Sequence, residues 1–135
     1  MKRVKSGKRH KILVFGNLLL KQDNLPLRII AKLQKRFPDI EFKEFDPNEN
    51  LEREGRDLNI MDVVQGIDRA VIITDTDRII TQRAYSMHDF DLGHSLKLLK
   101  KIGYIDSVRI FGVPADISEK KATDQLSKLI TSNLS

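Results

Sequence analysis

Residues 11–45 read KILVFGNLLLKQDNLPLRIIAKLQKRFPDIEFKEF. The run Ile12-Leu13-Val14-Phe15 is apolar without alternation and ends at Gly16-Asn17, the pattern of a strand buried on both faces. Leu25, Ile29, Ile30, Leu33 and Phe37 then recur at helical spacing. Pro26 falls in the first turn of that helix, where its missing N–H costs nothing. Asp23 or Asn24 supplies a natural N-cap, and Pro38 stops the helix. Ile40 to Phe45 alternates with period two, as a strand covered mainly on one side does. A strand, a helix and a second strand in this order form the repeating unit of a parallel sheet.

Downstream, Asp46-Pro47-Asn48-Glu49-Asn50 reads as a turn-rich loop. Two further strands are predicted, Leu58 to Val64 and Ala70 to Thr74, joined by Gln65-Gly66-Ile67-Asp68. So short a link with a glycine in it favours an antiparallel hairpin. Leu92, Leu96, Leu99 and Ile102 mark a second helix closed by Gly103. Val108 to Val113 reads as the last core strand. Asp116-Ile117-Ser118-Glu119 resembles a capping box, opening a helix with Ala122, Leu126, Leu129 and Ile130 on one face. The order β-α-β-β-β-α-β-α predicts an α/β fold: a mixed, mostly parallel, twisted five-stranded sheet flanked by helices on both faces.

The chain has 135 residues, enough for one domain with its own core. Its net charge of +5 is concentrated at the start: MKRVKSGKR carries basic residues and no acidic one, and the rest balances 19 basic against 19 acidic residues. We therefore expect a flexible basic arm over residues 1–9 and a single domain over 10–135. A neutral body lacks the basic face of a nucleic-acid binder. No run approaches the roughly 18 apolar residues of a membrane span, so no membrane insertion is expected. The start lacks the apolar core of a secretory signal. There is no cysteine, which removes disulfides, thiolate catalysis and cysteine-bound zinc together. A cytoplasmic protein, acting as a monomer, is the expectation.

Phosphate binding finds little support. Gly16-Asn17-Leu18-Leu19-Leu20 lacks the repeated glycines that wrap a phosphate, and Asp23 near the helix start repels one. There is no Gly-x-Ser-x-Gly elbow, and the absence of tryptophan weakens a sugar-cleaving carboxylate pair. Three polar residues stand out instead, each at the end of an apolar run: Asp23, Asp62 and His88. Strand ends deliver side chains to the usual binding crevice of an α/β sheet. Carboxylate oxygen with imidazole nitrogen suits zinc, nickel, cobalt or iron(II). Each has a plainer explanation: Asp23 as a cap, His88 as a loop histidine bonded to Asp89, Asp62 in a structural hydrogen bond. Asp62 lies between Met61 and Val63, where a charge is costly unless paired or coordinated.

Taken together, these residues resemble the hydrogenase maturation endopeptidases, in a short, divergent, archaeal-type form. The resemblance rests on Gly16-Asn17-Leu18-Leu19-Leu20-Lys21-Gln22-Asp23 followed by Arg28, on Ile60-Met61-Asp62, and on Ser86-Met87-His88-Asp89-Phe90-Asp91-Leu92. It implies a protease that trims the C-terminal extension of a [NiFe]-hydrogenase large-subunit precursor once nickel is inserted. Asp23, Asp62 and His88 would then sense nickel supplied by the precursor, with other divalent metals such as zinc able to substitute in vitro. Asn17 and Asp46 fall where the family has substrate-loop residues. Asp75, also following an apolar strand, is the alternative to Asp62; it leaves few positions before His88 and places a helix within residues 47–66. The sequence departs from the family pattern at Lys21, Asn24 and Pro26, which replace glycines, and at Pro47-Asn48-Glu49 after Asp46. The helix between the second and third strands is nearly absent. These departures leave a second reading, a non-catalytic nickel or precursor chaperone of the same fold, and a third, an α/β domain with no metal site.

Overall fold

The computed structural model describes residues 10–15, 25–45, 50–64, 66–74, 87–114 and 116–134. The expected basic arm, residues 1–9, lies outside them. Along the chain run β1 (His10–Phe15), α1 (Leu25–Arg36), β2 (Ile40–Phe45), a 3-10 turn (Leu51–Glu54), β3 (Asp57–Val64), β4 (Val71–Ile73), α2 (Met87–Lys101), β5 (Ser107–Pro114) and α3 (Glu119–Leu134). The sheet order is β2-β1-β3-β5-β4. Its first three pairings are parallel, and β4 runs antiparallel to β5 at the edge.

The mainly apolar sequences of β1, β3 and β5 follow from burial on both faces. Ile12, Val14, Met61, Val63, Phe111 and Val113 point to one side, where Ile29 and Leu33 of α1 and Ala122, Leu126 and Ile130 of α3 cover them. Leu13, Phe15, Leu58, Ile60, Val64, Val108 and Ile110 point to the other, against Leu96 of α2 and Leu51 of the 3-10 turn. Each such side chain, fully withdrawn from water, contributes about 1.5–3 kcal/mol. A helix is thus present on both faces, as the periodicity predicts.

On the first face, α1 and α3 are joined by ion pairs. Glu119 pairs with Lys32 and, at 2.7 Å, with Arg28. Those two cations hold the Glu119 carboxyl below its ordinary range, hydrogen bonding from Lys32 being the largest cause. Arg36 donates to Ser127 Oγ at 2.8 Å. Where a crossover helix would lie between β2 and β3, the described residues make the 3-10 turn. Leu51 is buried there, and Glu54, 8% exposed, bonds Lys11 at 2.6 Å and Lys43 at 2.9 Å.

Two expectations are corrected. Strands β3 and β4 run in opposite directions, as the Gly66 link implies, but they are not paired: β5 lies between them. Gly66 does turn the chain, with φ +81°. However, β5 offers eight residues to β3 and β4 only three, so the longer strand, buried from Ile110 onward, takes the central place. The second correction concerns the cap of α3. Ser118 Oγ accepts from Lys121 N at 3.2 Å, so Ser118 caps the helix and Glu119 is its first residue, turned to α1.

Helix α2 ends as expected at Gly103, whose φ is +86°. Gly103 N donates to Lys100 O at 3.2 Å and Tyr104 N to Leu99 O at 2.9 Å, the paired bonds of a glycine-terminated helix. Only a few residues then separate α2 from the start of β5, so the end of α2 lies at the amino edge of the sheet. Its beginning is therefore directed toward the carboxyl edge.

Candidate functional site

Asp62 is two residues from the end of β3, one of the three central strands. It is 4% exposed, and among the described residues the polar ones buried as whole residues are Asp62 and Thr123. Alternation along β3 puts it on the face of Leu58, Ile60 and Val64, the face covered by α2. Its Oδ1 accepts a hydrogen bond from Val63 N at 2.9 Å, which orients the carboxylate. A carboxylate taken out of water is costly unless it is hydrogen-bonded, paired or coordinated.

Its partner across the ladder is Gly112 of β5, which in turn faces Val71 of β4. A Cβ at Gly112 would stand 3.0 Å from Val64 Cγ2 and 3.5 Å from Val71 Cγ2. The absence of a side chain therefore lets Val64 and Val71 close over the strand beside Asp62. Sequence reading missed Gly112, although a glycine interrupting the run Val108 to Val113 marks a close approach. On the opposite flank, the Phe15 and Phe45 rings at the ends of β1 and β2 lie 5.5 Å apart. Asp62 is thus set among apolar groups at the edge where α/β sheets bind their ligands.

His88 is the second residue of α2. The topology therefore brings the start of this helix and Asp62 to the same edge and the same face of the sheet. Asn17, Asp23, Asp46 and Asp75 lie outside the described residues. Within residues 47–66, the described residues form the 3-10 turn and β3, so the helix that the Asp75 alternative places there is not formed. Among the described residues, no three His, Asp or Glu side chains gather in a metal-binding group. Nor is any described helix long and apolar enough to cross a membrane.

The polar cleft at the opposite edge has a different character. It encloses about 220 Å³ and is lined by His10, Lys11, Glu54, Asp57 and Asn59. Its charges are committed: Glu54 bonds both lysines, and Asn59 accepts from Arg109 Nη1 at 3.3 Å. Burial alone would raise the Glu54 carboxyl, but the hydrogen bonds and charges of Lys11 and Lys43 outweigh it and hold the group below its ordinary value. This edge is a structural clamp.

No protein-family model matches the chain, and no curated protein matches its sequence. Solved structures do. The hydrogenase maturating endopeptidase HybD from E. coli superposes with a TM-score of 0.61 at 15% identity, over 93% of this chain and 94% of that one. The [NiFe] hydrogenase maturation protease HybD from Thermococcus kodakarensis gives 0.55 at 18% identity, over 90% and 98%. A further endopeptidase from Escherichia coli gives 0.55 at 17%, over 91% and 94%. With a five-stranded mixed sheet, a helix on either side, and coverage of nine-tenths of each chain, this protein has the fold of the hydrogenase maturation endopeptidases.

Proposed function

We propose that the chain is an endopeptidase that removes the C-terminal extension of a nickel-loaded [NiFe]-hydrogenase large-subunit precursor. Nickel, carried by the substrate, is sensed by Asp23, Asp62 and His88. The reaction is assigned to the cytoplasm, with the chain acting as a monomer. The observation that carries this reading is the buried Asp62 carboxylate at the carboxyl edge of a central strand, on the face toward which α2 begins. A fold shared with hydrogenase maturation proteases supports it.

The chemistry follows from the surroundings of Asp62. Val63 N fixes one carboxylate oxygen, so the group meets an incoming cation in a set orientation. The apolar neighbours lower the local dielectric, which strengthens attraction to a divalent ion and penalises the site when the precursor arrives without one. Gripping the metal fixes the precursor tail relative to the enzyme. The ion supplies Lewis acidity toward a carbonyl or a water molecule.

Purified protein incubated with nickel-loaded and nickel-free precursor, followed by intact-mass spectrometry, tests the proposal. Shortening of the loaded form alone is the expected result; equal cleavage of both, or of neither, sinks it. The alternative, a chaperone that binds nickel or precursor without cutting, is favoured by one observation. Among the described residues between β2 and β3 the helical element is the 3-10 turn Leu51–Glu54, so this loop region differs from a full crossover. That reading predicts binding abolished by His88→Ala with no peptide released.

A further inference from the structure

Glu119 is the first residue of α3, yet its side chain does not serve the cap of that helix. Ser118 caps α3 through Lys121 N, and Lys121 itself fills the position from which a capping-box carboxylate reaches back. The Glu119 carboxylate is turned to α1 instead. One oxygen takes Arg28 Nε at 2.7 Å and the other takes Lys32. Both cations are half exposed, whereas the Glu119 side chain is 23% exposed, so the anion is the enclosed member of the group.

This tie is made at one end of the helix pair. The far end of α1 is at the amino edge of the sheet, where Phe37 N bonds Leu33 O and Ile40 N, opening β2, bonds Phe37 O. The beginning of α1 is therefore directed toward the carboxyl edge. Helix α3 also starts there, five residues after Pro114, the last residue of β5. Two residues before Pro114 on that strand is Gly112, the ladder partner of Asp62. Arg28 and Lys32 are four apart on one stripe of α1, and Arg36, the next member, bonds Ser127 further along α3. Arg28 is in the opening turn of α1, where the helix dipole disfavours a cation and no acidic side chain of α1 offsets it. Glu119 supplies that negative charge from the neighbouring helix.

Asp23 is two positions before Leu25, where α1 begins, so chain geometry keeps its Cα within about 7 Å of that residue. Whatever holds the start of α1 limits where Asp23 can be. We propose that Glu119 is a positioning residue of the nickel-sensing site. Through Arg28 and Lys32 it holds the start of α1, and so the reach of Asp23, at the edge where Asp62 stands. This rests on the nickel-sensing reading above and adds what keeps two ligands carried on separate elements in register. A metal site loses affinity when the groups that orient its ligands are removed.

The experiment measures nickel(II) binding to the purified full chain by titration calorimetry, with thermal melting of each protein alongside. Wild type should bind nickel, and Asp62→Asn should weaken that binding. Glu119→Ala should weaken it about tenfold, while melting moves no more than a surface ion pair accounts for. Arg28→Ala/Lys32→Ala should weaken it to the same degree, and the triple variant no further, because the three side chains act as one unit. Arg36→Ala, which breaks the tie further along the same two helices, should leave affinity unchanged. Nickel binding that Asp62→Asn weakens and Glu119→Ala does not overturns the positioning role alone. Tighter binding by Arg28→Ala/Lys32→Ala overturns it too, since charge rather than position would then govern the site. Weakening by Arg36→Ala equal to that by Glu119→Ala does the same, by spreading the effect over the whole helix seam. A large fall in the melting temperature of Glu119→Ala assigns Glu119 to stability and also overturns the proposal. No nickel binding by wild type, or binding indifferent to Asp62→Asn, overturns it together with the nickel-sensing reading.

Discussion

The two ends of the β3–β5 pair are built on opposite principles. At the amino end, every polar group named is exposed and spent on a neighbour. Arg56 takes both oxygens of Asp106, Arg56 O accepts from Asp106 N and Ser107 N, and Ser107 Oγ donates to Asp57 at 2.7 Å. The Arg56 hydrogen bond is the largest cause of the lowered Asp106 carboxyl. At the carboxyl end, one carboxylate is buried among Ile60, Val64, Gly112 and Val71. The first arrangement aligns two strands at little cost, because water can replace any lost bond. The second withdraws a carboxylate from water and holds one of its oxygens on Val63 N.

The largest way to break this contrast is at Asp62 itself. Asp62→Asn should lower single-turnover processing of nickel-loaded precursor by about 100-fold or more, as loss of a group used in the reaction does. Its melting temperature should change little, because an amide oxygen still accepts from Val63 N. A variant that melts far lower yet still processes would make Asp62 a structural residue. Next comes Gly112→Val, which forces a side chain against Val64 where a Cβ already stands 3.0 Å from it. It should cost about 1–3 kcal/mol in urea unfolding; an unchanged midpoint would show that the strand closes over Gly112 less tightly than described.

At the amino end the effects shrink. Glu54→Gln should cost about 1 kcal/mol at neutral pH, since two lysines lose their anion at a partly buried site. Glu54 is held below 4.5, its ordinary value, so its contribution is complete above that pH and is lost as pH falls through its lower folded value. The Gln variant should accordingly lose less stability than wild type on acidification below pH 4.5; parallel acid curves would contradict this. The smallest change is expected for Arg56→Ala. The pair it breaks is fully exposed, so melting should shift slightly at low salt and hardly at all at high salt.

Much of this architecture is legible in the sequence because it depends on local patterns. Strands buried on both faces announce themselves as unbroken runs, and α1 and α3 by their spacing. Gly103 is readable as a helix stop, since only a residue tolerant of positive φ serves there. The place of β5 between β3 and β4 is not readable in this way. A glycine link reports that the chain reverses, while pairing is decided by the competition of distant strands for the centre. Asp62 is legible as an oddity between Met61 and Val63; Gly112 is legible as a close approach and no more, because its place beside Asp62 comes from the ladder. The same holds for Glu54: nothing near it in sequence announces Lys11 as its partner.

The edges of the sheet have a consequence for how other proteins can meet this one. At one edge β4 has only three residues. At the other, β2 carries Glu41, Lys43 and Glu44 among its six. A chain seeking to extend the sheet finds too few backbone groups on one side and a charged row on the other. Such borders suit the proposed processing role, in which an unfolded peptide tail is met repeatedly and must not seed a fibre. Recognition then falls to side chains and loops, and the peptide can leave.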